Sequence, residues 1–173
     1  MSSGSGPYVV RRGVHAVSDD PARLDLAVVH GFLAASYWAA GIPLDVVRRS
    51  IAGSLACGLY RLPAAAGPWR QVGFARAVTD RATFAYLADV FVLAEERGRG
   101  LGTFLVEAVM AHPELAGLRR WLLVTRDAHG LYRKLGFQPL AVPERHMERL
   151  VPDLYRRPGA TGSKRESERE PER

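Results

Sequence analysis

Apolar positions along this chain change their spacing several times, and each change marks an element. Residues 54–60, 70–78 and 83–93 are runs rich in branched and aromatic side chains. They read as hairpin-connected strands, with 83–93 a central strand buried on both faces. Leu101, Phe104, Leu105, Ala108 and Val109 then recur at helical spacing. A further apolar strand at 121–125 precedes a short helix around Tyr132, which Gly136 ends as a helix-terminating glycine. Phe137 opens the next strand, and another lies near Met147. Upstream, a short strand at 8–11 is followed by two helices. Asp20 before Pro21 reads as an N-cap and first helical residue, with Leu24, Val28 and Ala35 at helical spacing, and Pro43 restarts a second helix carrying Leu44, Val47 and Ile51. The stretch 26–44 has no Asp, Glu, Lys or Arg and imitates a membrane span. His30, Gly31, Ser36, Gly41 and Pro43 interrupt it, so two packed helices joined near 37–42 are expected, and no membrane partner. The expected fold is α/β (α+β), a mixed, mostly antiparallel central sheet flanked by helices on both faces.

The segment 87–102, LADVFVLAEERGRGLG, joins a strand to a helix through Gly98, Gly100 and Gly102. A helix starting on glycines offers free backbone N–H groups and the positive end of its dipole to an anion, with no side chain in the way. A phosphate is the expected ligand. The turn has no Lys for a Walker loop, and its glycines alternate strictly where a dinucleotide fingerprint needs G-x-G-x-x-G.

A second motif follows, Leu131-Tyr132-Arg133-Lys134-Leu135-Gly136-Phe137. With the R/Q-x-x-G-x-G/A turn at Arg97, Gly100 and Gly102, it makes residues 21–150 resemble the GCN5-related N-acetyltransferase (GNAT) family. The resemblance implies that Arg97, Gly98, Arg99, Gly100, Leu101, Gly102 and Thr103 bind the pyrophosphate of acetyl-CoA. It implies that the backbone of Val90, Phe91 and Val92 pairs with the pantetheine arm and polarises the acetyl carbonyl, and that Tyr132 protonates the departing thiolate. A phenol still protonated at neutral pH suits that role. The helix pair walls the acceptor site in this family, which makes Ser36, Tyr37 and Trp38 candidate substrate contacts, the aromatic faces being suited to a cationic amine. The expected activity is transfer of the acetyl group of acetyl-CoA to a primary amine of a small-molecule or peptide acceptor, by direct attack in a ternary complex. The alternatives are another acyl group, or a non-catalytic acyl-CoA-binding or sensing module. Family members are often homodimers, although no interface is legible here.

Two positions depart from the family pattern. Thr125 stands where an Asn often holds the pantetheine, and a hydroxyl hydrogen-bonds less fully than an amide. The Glu-Asp pair of some relatives reads Ala88-Asp89. An amine with a pKa near 10.4 is mostly protonated at neutral pH, so a proton acceptor is required. Asp89 is the first candidate, as base or as anchor of the amine; simple alternation puts it on the face of Leu87 and Phe91, and a strand bulge would re-aim it. Tyr86 is the second. Asp80 is the third, unless it is a structural partner of Arg76. His129, three residues before Tyr132, shares its helical face.

Composition adds limits. The 173 residues are 47% hydrophobic, enough for one domain, expected at 1–157 with a charged, disordered tail at 158–173. The net charge of +6 comes almost entirely from arginine, Lys134 and Lys164 being the only lysines. We read no nucleic-acid site from that bias, although a basic surface helps attract an anionic cofactor. The histidines lack metal-ligand spacing, so no metal is expected. The single Cys57 reads as a core residue, and with no apolar signal segment at the N-terminus a cytoplasmic location is expected.

Overall fold

In a computed structural model the described residues, 6–156, build one six-stranded sheet. Strands β1 (Val9–Arg12), β2 (His15–Ser18), β3 (Leu55–Arg61), β4 (Arg70–Thr79), β5 (Phe84–Val92) and β6 (Arg120–Leu122) lie side by side in chain order. The first four pairings are antiparallel and β5 runs parallel to β6, which is the mixed, mostly antiparallel sheet expected. Helices α1 (Leu26–Ala35) and α2 (Leu44–Ala52) cover one face, α3 (Leu101–Met110) covers the other, and α4 (His129–Lys134) follows β6. No helix among the described residues is long and apolar enough to cross a membrane. The expected tail at 158–173 lies outside the described residues.

The two faces hold separate cores. Leu101, Phe104 and Leu105 of α3 pack on Leu55, Cys57, Val72, Ala77, Ala85 and Leu87. Val29 and Leu33 of α1 and Val47 of α2 pack on Phe74 and Phe91. Phe32 stacks on Phe91 at 3.9 Å between ring centroids and 7° between planes, adding about 0.5–1.5 kcal/mol to the area buried. Cys57 is the core residue expected, and burial pushes its thiol up to about 12.

Four local readings need correction. Asp20 caps only a three-residue 3-10 turn at Pro21–Arg23, because Leu24 leaves it extended; Asp25 caps α1, its Oδ1 accepting from the N–H groups of Ala27 and Val28. The strand expected at 121–125 is the shorter β6, and β2 was not anticipated. No strand forms at Phe137 or Met147 among the described residues; Pro139 and Pro143 interrupt that stretch and have no N–H to give a ladder. Leu87 and Phe91 do not share a face. Phe91 pairs with Phe74 and Ala88 with Arg76, so Asp89 and Val90 together oppose Ala75 alone. This bulge, with Asp89 at φ 55, turns Leu87 to the α3 core and Phe91 to the α1 core. Both faces of β5 are covered, but Tyr86, Asp89 and Val90 stay only half-buried.

Gly73 on β4 packs against β5 with no room for a side chain. A Cβ there would sit 2.6 Å from the carbonyl oxygen of Phe91 and 3.0 Å from Leu59 Cδ2, and backbone cannot swing aside. Gly73→Ala should therefore cost about 2 kcal/mol. Gly130→Ala, on α4 with nothing within 4 Å, should leave stability equal or raised. Urea midpoints that fail to separate the two variants would contradict this packing.

Candidate active site

The sequence between β5 and α3 folds as a 3-10 turn, Ala94–Glu96, followed by two left-handed glycines, Gly98 at φ 77 and Gly100 at φ 69. Gly100 is the N-cap of α3 and brings no capping side chain. The ladder of α3 begins with Phe104 N–H donating to Gly100 C=O at 3.2 Å, so the N–H groups of Leu101, Gly102 and Thr103 precede it. A Cβ at Gly98 would meet nothing within 4 Å, and one at Gly100 only Arg12 Nη2 at 3.9 Å, so the space before the turn is open. Gly102 differs: a Cβ there would lie 2.8 Å from Leu131 Cδ1, which makes it the contact point of α3 with α4.

Strands β5 and β6 pair only from Phe84–Arg120 to Tyr86–Leu122. Pairing stops at Tyr86, and farther along β5 a trough of about 570 Å³ opens between its end and the segment from Arg126 to Tyr132. Val90, Phe91 and Val92 line it together with Arg97, Gly98, Gly100, Leu101, Gly102 and Thr103 at one end, Tyr37 and Trp38 on the α1–α2 side, and Tyr132. The Phe91 ring and the Leu101 side chain belong to the cores, so their backbone is what they offer. Arg97 Nε donates to the Val92 carbonyl at 3.0 Å, tying the turn to the strand end. Arg99 does not line the trough; its guanidinium turns to Glu96.

A second hollow, about 360 Å³, shares Tyr37, Trp38, Val90 and Tyr132 with the trough and adds Arg76, Tyr86, Asp89 and Thr125. Here Asp89 is held from two sides: Arg76 Nε donates to Oδ2 at 2.6 Å and Trp38 Nε1 to Oδ1 at 3.2 Å. Each oxygen keeps one further acceptor position. The partner of Arg76 is thus Asp89 and not Asp80, which caps the β4–β5 turn through Ala82, Thr83 and Phe84, bonds that hold its carboxyl well below the usual range. Tyr37 stacks under Arg126 at 3.8 Å, and its hydroxyl accepts from the Arg126 N–H. Burial, then the Asp89 charge, push the Tyr86 phenol up. Burial, then Tyr37, push Tyr132 up to about 12. Tyr132 sits on the helix expected for it, which Gly136 closes at φ 86.

Three candidates are turned elsewhere in part or whole. Ser36 is buried at the end of α1, donating to Leu33 C=O and accepting from Ala39 N–H. The Thr125 hydroxyl accepts from Ala128 N–H at 3.0 Å and so shapes the approach to α4. His129 is exposed and lines neither the trough nor the Asp89 hollow but a third one of about 290 Å³, with Trp121, Phe137, Thr125 and Tyr132. No group of three or more His, Cys, Asp or Glu that could hold a metal occurs among the described residues.

Glu96, Phe32, Arg126 and Asp127 also line the trough and were not singled out in the sequence. Adjacency to the turn could have flagged Glu96; the others arrive from loops and helices with no motif.

Comparison with known proteins decides the family. Residues 67–139 match the description "Acetyltransferase (GNAT) domain". An acetyltransferase-family protein of Gibberella zeae is 35% identical over 141 residues, 71% of this chain and 78% of that protein. The chain belongs to the GNAT acetyltransferase family. A crystal structure of a GNAT-family protein from Xanthomonas campestris pv. campestris is 51% identical, covering 82% of this chain and 96% of that one with a TM-score of 0.74. A structure from Deinococcus radiodurans R1, 19% identical with a TM-score of 0.62 over 84% and 94% of the two chains, shares the fold. This GNAT chain is an acyltransferase, and acetyl-CoA is the family's usual donor.

Glu96 in this GNAT protein is fully buried, with bound donors on both oxygens. Burial alone pushes its carboxyl up, but hydrogen bonds from Arg61 and His15 and the Arg99 charge outweigh this and leave it below its ordinary 4.5. A depressed native value means that stability is fully present above pH 4.5 and is lost as pH falls through the depressed value. The urea-midpoint difference between wild type and Glu96→Gln should hold steady above that pH and shrink below it; a difference independent of pH would contradict the sign.

Proposed function

We propose that the protein transfers the acetyl group of acetyl-CoA to a primary amine of a small-molecule or peptide acceptor, by direct attack within a ternary complex. The observation that carries this reading is one continuous trough. It runs from the open glycine turn, along the unpaired edge of β5, to Tyr132, where it adjoins the hollow that holds Asp89. The N–H groups of Gly98 to Thr103 hold the pyrophosphate, with the Nη donors of Arg97 beside them. The backbone of Val90 to Val92 pairs with the pantetheine arm and directs an N–H at the acetyl oxygen as charge develops there. Thr125 retains a hydroxyl proton to give that arm.

On the other side of the reacting carbon, Asp89 anchors the amine between the aromatic faces of Tyr37 and Trp38 and takes its proton, directly or through water at Tyr86. The amine nitrogen bonds to the acetyl carbon, the carbon–sulfur bond breaks, and Tyr132 gives its phenolic proton to the leaving thiolate. A phenol pushed up to about 12 stays a donor throughout the range in which the amine becomes free. The rate kcat/KM should accordingly rise from pH 7 toward 10 with no descending limb from Tyr132.

Calorimetric titration with acetyl-CoA, followed by thiol release against a pooled amine library, tests the reading directly. Tyr132→Phe should bind acetyl-CoA within threefold of wild type and lose about 100-fold in kcat. Retained turnover would remove Tyr132 from the reaction. Gly100→Val should abolish binding, since it strains a left-handed position and fills the open space before the turn. Unchanged affinity would move the pyrophosphate elsewhere.

A further inference from the structure

The strand registers line up four basic residues across the sheet. Arg12 is opposite His15, His15 opposite Arg61, and Arg61 opposite Arg70, so one row crosses β1, β2, β3 and β4 at the sheet end nearest the glycine turn. Like charges directly opposite one another are destabilising, so such a row needs a counter-charge. Glu96 supplies it from the turn. Its Oε2 accepts from His15 Nε2 at 3.2 Å and Arg99 Nη1 at 3.0 Å, and its Oε1 from Arg61 Nη1 at 3.0 Å and Arg70 Nη2 at 3.2 Å. Four donors fill the four acceptor positions of a carboxylate. At the other end of the turn, Arg12 Nη2 donates to the carbonyl of Gly100 at 2.9 Å while its guanidinium lies 4.4 Å over the Phe104 ring.

A buried carboxylate in the wall of a phosphate site is electrostatically adverse to the ligand, and its position is therefore informative. We infer that Glu96 is a positioning residue for the donor site: clamped by His15, Arg61 and Arg70 of the sheet, it fixes the Arg97–Gly102 turn in the geometry that receives the pyrophosphate. The inference rests on the reading that this turn holds the acetyl-CoA pyrophosphate. The clamp grips the turn at both ends, through Glu96 before the first glycine and through Gly100 at the mouth of α3. Left-handed Gly98 between them, and Gly100 itself, are then restrained from outside, which glycines without side chains cannot do for themselves.

The test compares Glu96→Gln with wild type and with Glu95→Gln, whose carboxylate is exposed and pairs with Arg70. With acetyl-CoA as probe, Glu96→Gln should raise Kd and KM about tenfold while kcat at saturation stays within twofold, and Glu95→Gln should change neither. In ligand-free protein, amide exchange at Glu96, Arg97 and Phe104, whose N–H groups donate to Leu93, Ala94 and Gly100, should quicken about tenfold while core amides of β4 stay protected; a general loss of stability would quicken both. Arg61→Gln, on β3 and outside the turn, should weaken binding in the same way, which keeps the test open should Glu96→Gln fail to fold. Affinity unchanged, or tightened by relief of repulsion, would overturn the clamp. If wild type does not bind acetyl-CoA, the functional reading fails, and the exchange rates still decide the clamp: an unaltered turn overturns it.

Discussion

Between Ala88 and Phe91, β5 carries one residue more than β4 can pair, and the chain absorbs it by placing Asp89 in a left-handed conformation. Asp is among the few side chains that accept this readily. The consequences run both ways along the strand. Before the bulge, Ala85 and Leu87 face α3; after it, Val90 and Val92 do, and Phe91 is freed to stack on Phe32 beneath α1. The Asp89 carboxylate emerges on the α1 side, where Arg76 and Trp38 hold it at the rim of a hollow. Without the extra residue, the carboxylate would point into the apolar core against α3.

The parting of β5 from β6 is the companion of that bulge. Parallel pairing stops at Tyr86, where β6 ends, and the end of β5 then faces the segment from Arg126 to Tyr132 across the trough. A sheet that ends its ladder early leaves backbone donors and acceptors unused along an edge, which is costly unless water or an extended ligand meets them. The glycine turn lies at one mouth of this gap and the α1–α2 connection at the other. The helices on opposite faces are thus both needed: one presents the turn, the other presents Tyr37 and Trp38.

Charge organises the remaining end of the sheet. Arginine is frequent throughout this chain, and its frequency alone carries no functional meaning. Its placement does, since His15, Arg61 and Arg70 from three adjacent strands and Arg99 from the turn converge on one buried carboxylate. Glu96 is the buried charge there, its side chain 1% exposed while the three arginines are about half exposed, so losing a donor leaves a desolvated carboxylate short of a partner, unlike an exposed pair such as Arg49 with Asp45.

The sequence by itself determined the three long strands, the glycine-started helix and the short tyrosine helix, because each rests on a local pattern: apolar spacing, a glycine at a positive φ, a missing side chain where a backbone must be bare. It also brought Asp89 and Tyr132 forward as chemistry-bearing residues. It misjudged the start of α1, since Asp20 and Asp25 are equally good caps and only the docking of the Asp25 N–H on Gln71 from β4 selects between them. It extended strands to 137 and 147, where apolar content suggested pairing and prolines denied it. The tertiary structure alone decided the face on which Asp89 emerges, its partnership with Arg76, and the convergence on Glu96. The physical reason is the same in each case. Bulges and cross-strand registers are set by what neighbouring strands can pair and pack, and a chain read one residue after another holds no record of which residues will become opposite one another.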